Sequence, residues 1–279
     1  MPVSRAKAEA EFSARLLKLD CCRVLDLACG YGRHARHLAS NNQIFAADLN
    51  RSYLQQATQG LRDRTAANLL PIQADMRQIP FCDSTMDAVL FLFNSFGYFA
   101  GATAAQPAAS PRQQVWKLPE VFYERQLVPS TFGKYEPSVV TAPANPAVSN
   151  DENGNVLGEI ARVLKPGAQL LLELPNSKPL LRAVAEHPRR HIAAAGYQIE
   201  EQYEWDSAAR VLHNRTRFRI RDHIEEGEYD LRLYSSKEIR GLLAGNGLSV
   251  VQVYGDYQGG KYFPANSPVL LVHARKPMR

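Results

Sequence analysis

No stretch of the chain approaches the roughly 18 consecutive apolar residues that a membrane-spanning helix needs, so no membrane partner is expected. The first twenty residues also lack the apolar centre of a signal peptide, because Arg5, Lys7, Glu9, Glu11 and Arg15 interrupt them. The chain therefore reads as cytoplasmic. Cysteine is scarce: Cys21, Cys22, Cys29 and Cys82 occur with no C-x-x-C spacing. That argues against a metal or redox centre and predicts thiols buried as small apolar side chains. A strong one-signed charge is missing too. The formal net charge is +5, but the basic residues are scattered, which disfavours nucleic acid as the partner. Their densest group, Arg215, Arg217, Arg219 and Arg221, alternates along a strand-like run, which puts all four on one face. Such a face is either solvated or a surface for an acidic substrate.

What is present is an ordinary globular composition, 45% hydrophobic and 22% charged over 279 residues. This length suits one large α/β domain, or a core domain with an added subdomain. Apolar runs at 23–27, 43–48, 69–73 and 87–93 read as strands, with helices at 33–40 and 51–64 between them. Alternation of this kind predicts a doubly wound parallel sheet, and the continuously apolar fourth run suits a strand buried on both faces. The rhythm resumes with a helix at 158–164 and a fifth strand at 170–174. Ser235 and Glu238 have the spacing of a capping box, opening a helix that precedes two last strands at 248–254 and 269–274. Two stretches depart from this pattern. Residues 100–150 are rich in Ala, Pro and Ser and read either as a lid over a ligand site or as a mobile surface insertion. Residues 197–234 read as three antiparallel strands added beside the core, still within one domain spanning 1–279.

Chemistry concentrates where the first strands end. In Val24-Leu25-Asp26-Leu27-Ala28-Cys29-Gly30-Tyr31-Gly32, small residues at 28, 30 and 32 allow backbone to approach a polar ligand closely. A dinucleotide turn would require a third glycine where Arg33 stands, which turns the reading away from a nicotinamide cofactor. Asp26 lies at the carboxyl end of the first strand, Asp48 ends the second and Asp75 follows the third. A carboxylate in the Asp48 position can accept hydrogen bonds from both ribose hydroxyls, and one at Asp75 can accept from an adenine amino group with Met76 against the ring. Each aspartate alone would serve as a turn or cap residue. Three at successive strand ends specify an adenosyl ligand.

These segments resemble the class I S-adenosylmethionine-dependent methyltransferases. Val24–Gly32 looks like that family's glycine-rich motif, Ala46-Ala47-Asp48-Leu49 like its ribose motif and Ala74-Asp75-Met76 like its adenine motif. Arg162-Val163-Leu164-Lys165-Pro166-Gly167 is similar to the signature before its fifth strand, so the likeness covers roughly 20–176 apart from the insertion. Phe93-Asn94-Ser95-Phe96-Gly97-Tyr98-Phe99 and Tyr254-Gly255-Asp256-Tyr257 with Asn266-Ser267-Pro268 are similar to a bacterial subgroup acting on small molecules. The resemblance implies a seven-stranded Rossmann-like sheet and S-adenosylmethionine as cofactor. Asp26, Ala28, Gly30 and Gly32 would hold the methionine part, Asp48 and Leu49 the ribose, Asp75 and Met76 the adenine. Phe93 and Asn94 would lie beneath the cofactor. Ala28 replaces the family's usual first glycine, and the insertion is not part of its common pattern.

The methyl acceptor is expected to be a small molecule offering an N, O or C nucleophile. Asn94 and Tyr98, after the fourth strand, are the candidates for contact with the reacting atoms; Tyr98, Arg232, Tyr234, Asp256 and Tyr257 are candidates for the acceptor pocket. No residue stands out as an obligatory base, and His34, His37, His213 and His223 read as surface or internally satisfied histidines. The Asn/Asp-Pro-Pro-Tyr/Phe motif of enzymes that methylate base amino groups is absent after the fourth strand. The competing readings are a non-catalytic adenosyl-binding protein and an RNA methyltransferase.

Overall fold

The computed structural model describes residues 3–61, 63–99, 152–194, 197–220 and 223–278, which gather into two compact units. The insertion at 100–150 lies outside the described residues, as does Arg221.

The first unit opens with helix α1 (Val3–Leu17), followed by β1 (Arg23–Leu27), α2 (Ala35–Leu38), β2 (Gln43–Asp48), α3 (Arg51–Thr58), α4 (Asp63–Asn68), β3 (Leu69–Gln73) and β4 (Met86–Phe91). After the insertion come α5 (Glu152–Val163) and β5 (Leu164–Pro175). The chain then builds the second unit from α6 (Ser177–Glu186), β6 (Arg189–Ala194), β7 (Tyr197–Asp206), β8 (Val211–Ile220) and β9 (His223–Arg232). It returns to the first unit with α7 (Ser236–Gly245), β10 (Ser249–Tyr254) and β11 (Val269–Arg275).

Seven strands of the first unit form one sheet in the order β10-β11-β5-β4-β1-β2-β3. β1 to β5 run parallel, whereas β11 is antiparallel to both β5 and β10. The central strands are apolar on both faces, with Val24, Leu25, Ala88, Val89 and Leu90 fully buried, as a parallel sheet covered by helices requires. β3 carries Pro71 and sits at the sheet edge, where a missing N–H costs no ladder bond. The chain reverses its winding between β1 and β4. Ligands of open α/β sheets bind beyond the carboxyl ends of strands at such a switch point.

The expected helix at 51–64 is two helices. Asn50 caps α3 by accepting from the Ser52 and Tyr53 amides, but Gln59 turns to extended backbone and ends it. α5 starts upstream of Gly158, and β5 begins at Leu164, running through Lys165-Pro166-Gly167. The capping box of α7 forms as expected: Ser235 Oγ accepts from the Glu238 amide and Glu238 Oε2 from the Ser235 amide.

The second unit's sheet has four antiparallel strands, β6-β7-β8-β9; β6 joins the three strands expected from the sequence. Leu180, Leu181 and Val184 of α6 pack with Leu212, Leu231 and Leu233, and with Tyr98, Tyr203, Trp205 and Tyr229. On the other face Arg215 and Arg217 lie across from Glu228 and Glu226, at 3.6 and 2.7 Å. These arginines are exposed and paired, so the face is a solvated ion-pair ladder. His213 likewise pairs with Asp230, Nδ1 to Oδ1 2.5 Å.

Candidate functional site

Beyond the end of β1 the backbone enters the left-handed region at Ala28 (φ 53°), Gly30 (φ 56°) and Gly32 (φ 68°). This alternation coils the turn tightly. Cys29 N donates to Ala47 O at 3.0 Å and Gly30 N to Asp48 Oδ2 at 2.8 Å, so the turn is bonded to the end of β2. The two glycines serve different ends. A Cβ on Gly32 would lie 2.8 Å from the Ala57 Cβ, so this glycine admits α3 against the turn. A Cβ on Gly30 would meet nothing within 4 Å, so the space above this residue is open. Ala28 takes a conformation that costs an L-residue about 1–2 kcal/mol, strain of the kind that gathers at functional turns.

Around this turn stand the expected carboxylates. Asp48 is held rigidly, with Oδ2 on Gly30 N and Oδ1 accepting from Asn50 N at 2.8 Å. Burial raises its pKa, opposed by the amides of Asn50, Gly30 and Leu49. Each oxygen keeps a lone pair for a further donor. Leu49 beside it is exposed, unusual for leucine at a strand end and suited to covering a ligand. Asp75 is gripped by Arg77, whose Nε and Nη2 reach its oxygens at 3.0 and 2.6 Å, and Arg77 Nη1 continues to Glu152 Oε1 at 3.0 Å. Met76 next to it is half-buried.

Asp26 is different in kind. It is 2% exposed, and burial, reinforced by the nearby Asp48 charge, pushes its pKa up to about 6 against the pull of His34 and Arg33. The nearby Ala35 amide also pulls the pKa down, yet Oδ2 has no hydrogen-bond partner. Buried carboxylate oxygens rarely remain unsatisfied in the absence of a ligand or water.

Beneath the turn lies a buried charged cluster. Glu9 of α1 accepts from Arg5 Nε at 2.9 Å, bonds His34 Nε2 at 2.8 Å and lies 3.5 Å from Arg33 Nη2. These neighbours outweigh burial and lower its pKa. His34 is thus internally satisfied. The exit of β4 faces this cluster. Phe93 (φ 64°) and Asn94 (φ 59°) are consecutive left-handed residues without glycine, and the Arg33 guanidinium sits 3.9 Å from the Phe93 ring centroid. Glu173, buried on β5, fastens this strained exit: its Oε2 accepts from Phe93 N at 2.9 Å and from the Tyr257 hydroxyl at 2.5 Å. Burial and the Glu173 charge push the Tyr257 pKa well up, so the phenol stays protonated and donates.

The first unit therefore brings Asp26, Ala28, Gly30, Gly32, Asp48 and Leu49 to one end of the sheet, with Asp75, Met76, Phe93 and Asn94 following neighbouring strands. Tyr257 belongs to the same unit through Glu173, while Asp256 Oδ1 accepts from Gln258 N and Gly260 N at 2.8 Å and shapes its own loop. Tyr98, Arg232 and Tyr234 belong to the second unit. There Tyr98 meets Tyr229 edge-on at 5.6 Å, and Arg232 donates to Leu233 O at 2.6 Å and lies over the buried Tyr234 ring at 5.0 Å. Sequence reasoning missed Arg77, two residues from Asp75, and also Glu9 and Glu173, which reach residues distant in the chain; for Glu173, a charge inside an apolar strand was the available signal. The expectation for cysteine also changes. Cys21 and Cys82 are exposed, and all four thiols are free. Among the described residues no His, Cys, Asp or Glu group could hold a metal ion, and no helix is long and apolar enough to cross a membrane.

The family described as "Methyltransferase domain" matches residues 24–110, the stretch that contains β1 to β4 and the turn. That stretch of the chain is thus similar to a methyltransferase domain. Within it a 76-residue stretch is 33% identical to the ubiquinone/menaquinone biosynthesis C-methyltransferase UbiE of Idiomarina loihiensis, covering 25% of this chain and 30% of that protein. The match thus spans less than a third of that relative's length. Over almost the whole chain the fold is similar to the CcbJ methyltransferase from Streptomyces caelestis, with TM-score 0.69, 14% identity, and 98% and 89% of the two chains covered. It is also similar to CalS10, an amino pentose methyltransferase from Micromonospora echinaspora solved with S-adenosylmethionine bound. There the TM-score is 0.53 at 16% identity, covering 98% of this chain and 90% of that one. The fold is thus Rossmann-like α/β, with an antiparallel sheet added.

Proposed function

We propose that the protein is a cytoplasmic S-adenosylmethionine-dependent methyltransferase acting on an N, O or C nucleophile of a small molecule. One observation carries this reading: the open space above Gly30 is flanked by the fastened carboxylate of Asp48 and by Asp26, whose buried Oδ2 has no hydrogen-bond partner. A ligand with vicinal hydroxyls and an ammonium group fits that donor and acceptor set. In this reading Asp26, Ala28, Gly30 and Gly32 hold the amino-acid end, Asp48 and Leu49 the ribose, and Asp75 and Met76 the adenine, with Phe93 and Asn94 beneath. Bound there, the cofactor supplies an electrophilic sulfonium methyl. The chain's own contribution is alignment of the acceptor and exclusion of water, with Asn94 as a candidate for touching the reacting atoms and Asp256 and Tyr257 for the acceptor. The small-molecule acceptor is supported by the names of similar proteins, a C-methyltransferase of ubiquinone/menaquinone biosynthesis and an amino pentose methyltransferase. Free thiols support the reducing compartment.

Calorimetric titration of the full chain with S-adenosylhomocysteine and with NAD tests the cofactor. Binding of S-adenosylhomocysteine alone is expected, and binding of NAD alone would overturn the assignment. Transfer of labelled methyl from S-adenosylmethionine into a small-molecule extract tests the activity. Tight cofactor binding with no transfer to any fraction would mark a non-catalytic adenosyl-binding protein instead.

A further inference from the structure

In the first unit, Asp26, Arg33 and Asn94 bury polar atoms that lack a hydrogen-bond partner. They are neighbours: Asp26 pairs with Leu90 across β1 and β4, and Arg33 stacks on Phe93, the residue before Asn94. Arg33 is the most unusual of them. Its side chain is 12% exposed, both terminal nitrogens are unbonded, and its single ionic neighbour distance, 3.5 Å to Glu9 Oε2, exceeds that of a charge-assisted hydrogen bond. A buried guanidinium left in this state is costly unless an acceptor arrives. Its pose is nevertheless fixed. Glu9, itself anchored by Arg5 and His34, stands on one side, and the Phe93 ring, fastened through its amide to Glu173, stands on the other.

We propose that Arg33 receives the α-carboxylate of the cofactor's amino-acid end in a two-pronged hydrogen bond, beside Asp26, which receives the α-ammonium. An unsatisfied anion and an unsatisfied cation at one end of one sheet specify a zwitterion, and a planar guanidinium matches a carboxylate where a single ammonium would not. Arg33 therefore has a positive role at the position where a dinucleotide turn has its third glycine. The assignment rests on the reading of this cleft as the S-adenosylmethionine site.

The test is calorimetry on the full chain with two ligands, S-adenosylhomocysteine and its decarboxylated analogue, which keeps the amine but lacks the carboxylate. In Arg33→Met the affinity for S-adenosylhomocysteine should fall about 10- to 100-fold, with the analogue held within about twofold of its wild-type value. Arg33→Lys keeps the charge and the stem should Met unsettle the fold; it should weaken S-adenosylhomocysteine about 3- to 10-fold and again spare the analogue. Equal weakening of both ligands, or no weakening of either, would overturn the role of Arg33 while leaving the cofactor reading intact. A wild-type chain that binds neither ligand would overturn that reading, and this inference with it.

Discussion

Asp26 carries two opposing demands. Its burial beside the turn raises its pKa from an ordinary 3.8 to about 6, so the folded chain holds the proton more tightly than the unfolded one. Stability conferred by the protonated form is present at low pH, declines as pH rises from about 4 to about 6, and stays lower above that. Asp26→Asn removes this penalty and should raise the melting temperature of the ligand-free protein at neutral pH. The substitution should also weaken S-adenosylhomocysteine about tenfold or more, because the ammonium loses its anion. In the wild type that affinity should climb by up to tenfold per pH unit below about 6 and level off above, a dependence flattened by Asp26→Asn. Titrations that find wild-type affinity flat across this range would remove Asp26 from the ligand. Asp26, Asp48 and Asp75 were legible in the sequence because the first two lie in the last two residues of recognisable strands and Asp75 two residues past a third. Their individual states were not, since the Asp26 pKa depends on His34 and Asp48 and the pose of Asp75 on Arg77.

At the level of elements, the turn after β1 separates packing from binding within three residues. Gly32→Ala places a methyl 2.8 Å from Ala57 and adds left-handed strain, so β1 and α3 must part, at about 2–4 kcal/mol. Gly30→Ala meets no neighbour, and its cost in stability should stay near 1 kcal/mol from backbone strain alone. Its methyl nevertheless enters the space assigned to the ligand. Chemical denaturation should therefore rank Gly32→Ala as the more damaging to stability, while titration with S-adenosylhomocysteine shows Gly30→Ala losing far more affinity than stability. An unchanged affinity in Gly30→Ala would place the ligand elsewhere. On the second unit's sheet, Arg217→Ala breaks an exposed cross-strand pair with Glu226, so its cost should be under about 1 kcal/mol. Alternation predicted that the arginines share a face; the acidic residues opposite them come from β9, and only strand register decides that pairing.

For the whole molecule, a net charge of +5 sets up a choice between small-molecule and nucleic-acid partners. Arg215 and Arg217 spend their charge on glutamates, and Arg5 on the buried Glu9, which leaves less free positive charge than the count suggests. Duplex or single-stranded RNA should therefore show no binding in a mobility-shift assay at about 0.15 M salt, a concentration that screens scattered charge. Tight RNA binding that falls steeply with added salt would favour an RNA acceptor. The sequence by itself determined the strand–helix order of the first unit, the turn and its three aspartates, because apolar periodicity and small residues act locally along the chain. It left β6 and the helix before it unread. Tertiary structure alone decided the rest: that Glu173 joins Phe93 to Tyr257, that Glu9 reaches His34 and Arg33, and that Asp26 keeps an oxygen unpaired. Those contacts join residues 24 to 84 positions apart, and burial, which turns a carboxylate into a half-satisfied binding group, is a property of the packed sheet and not of any segment.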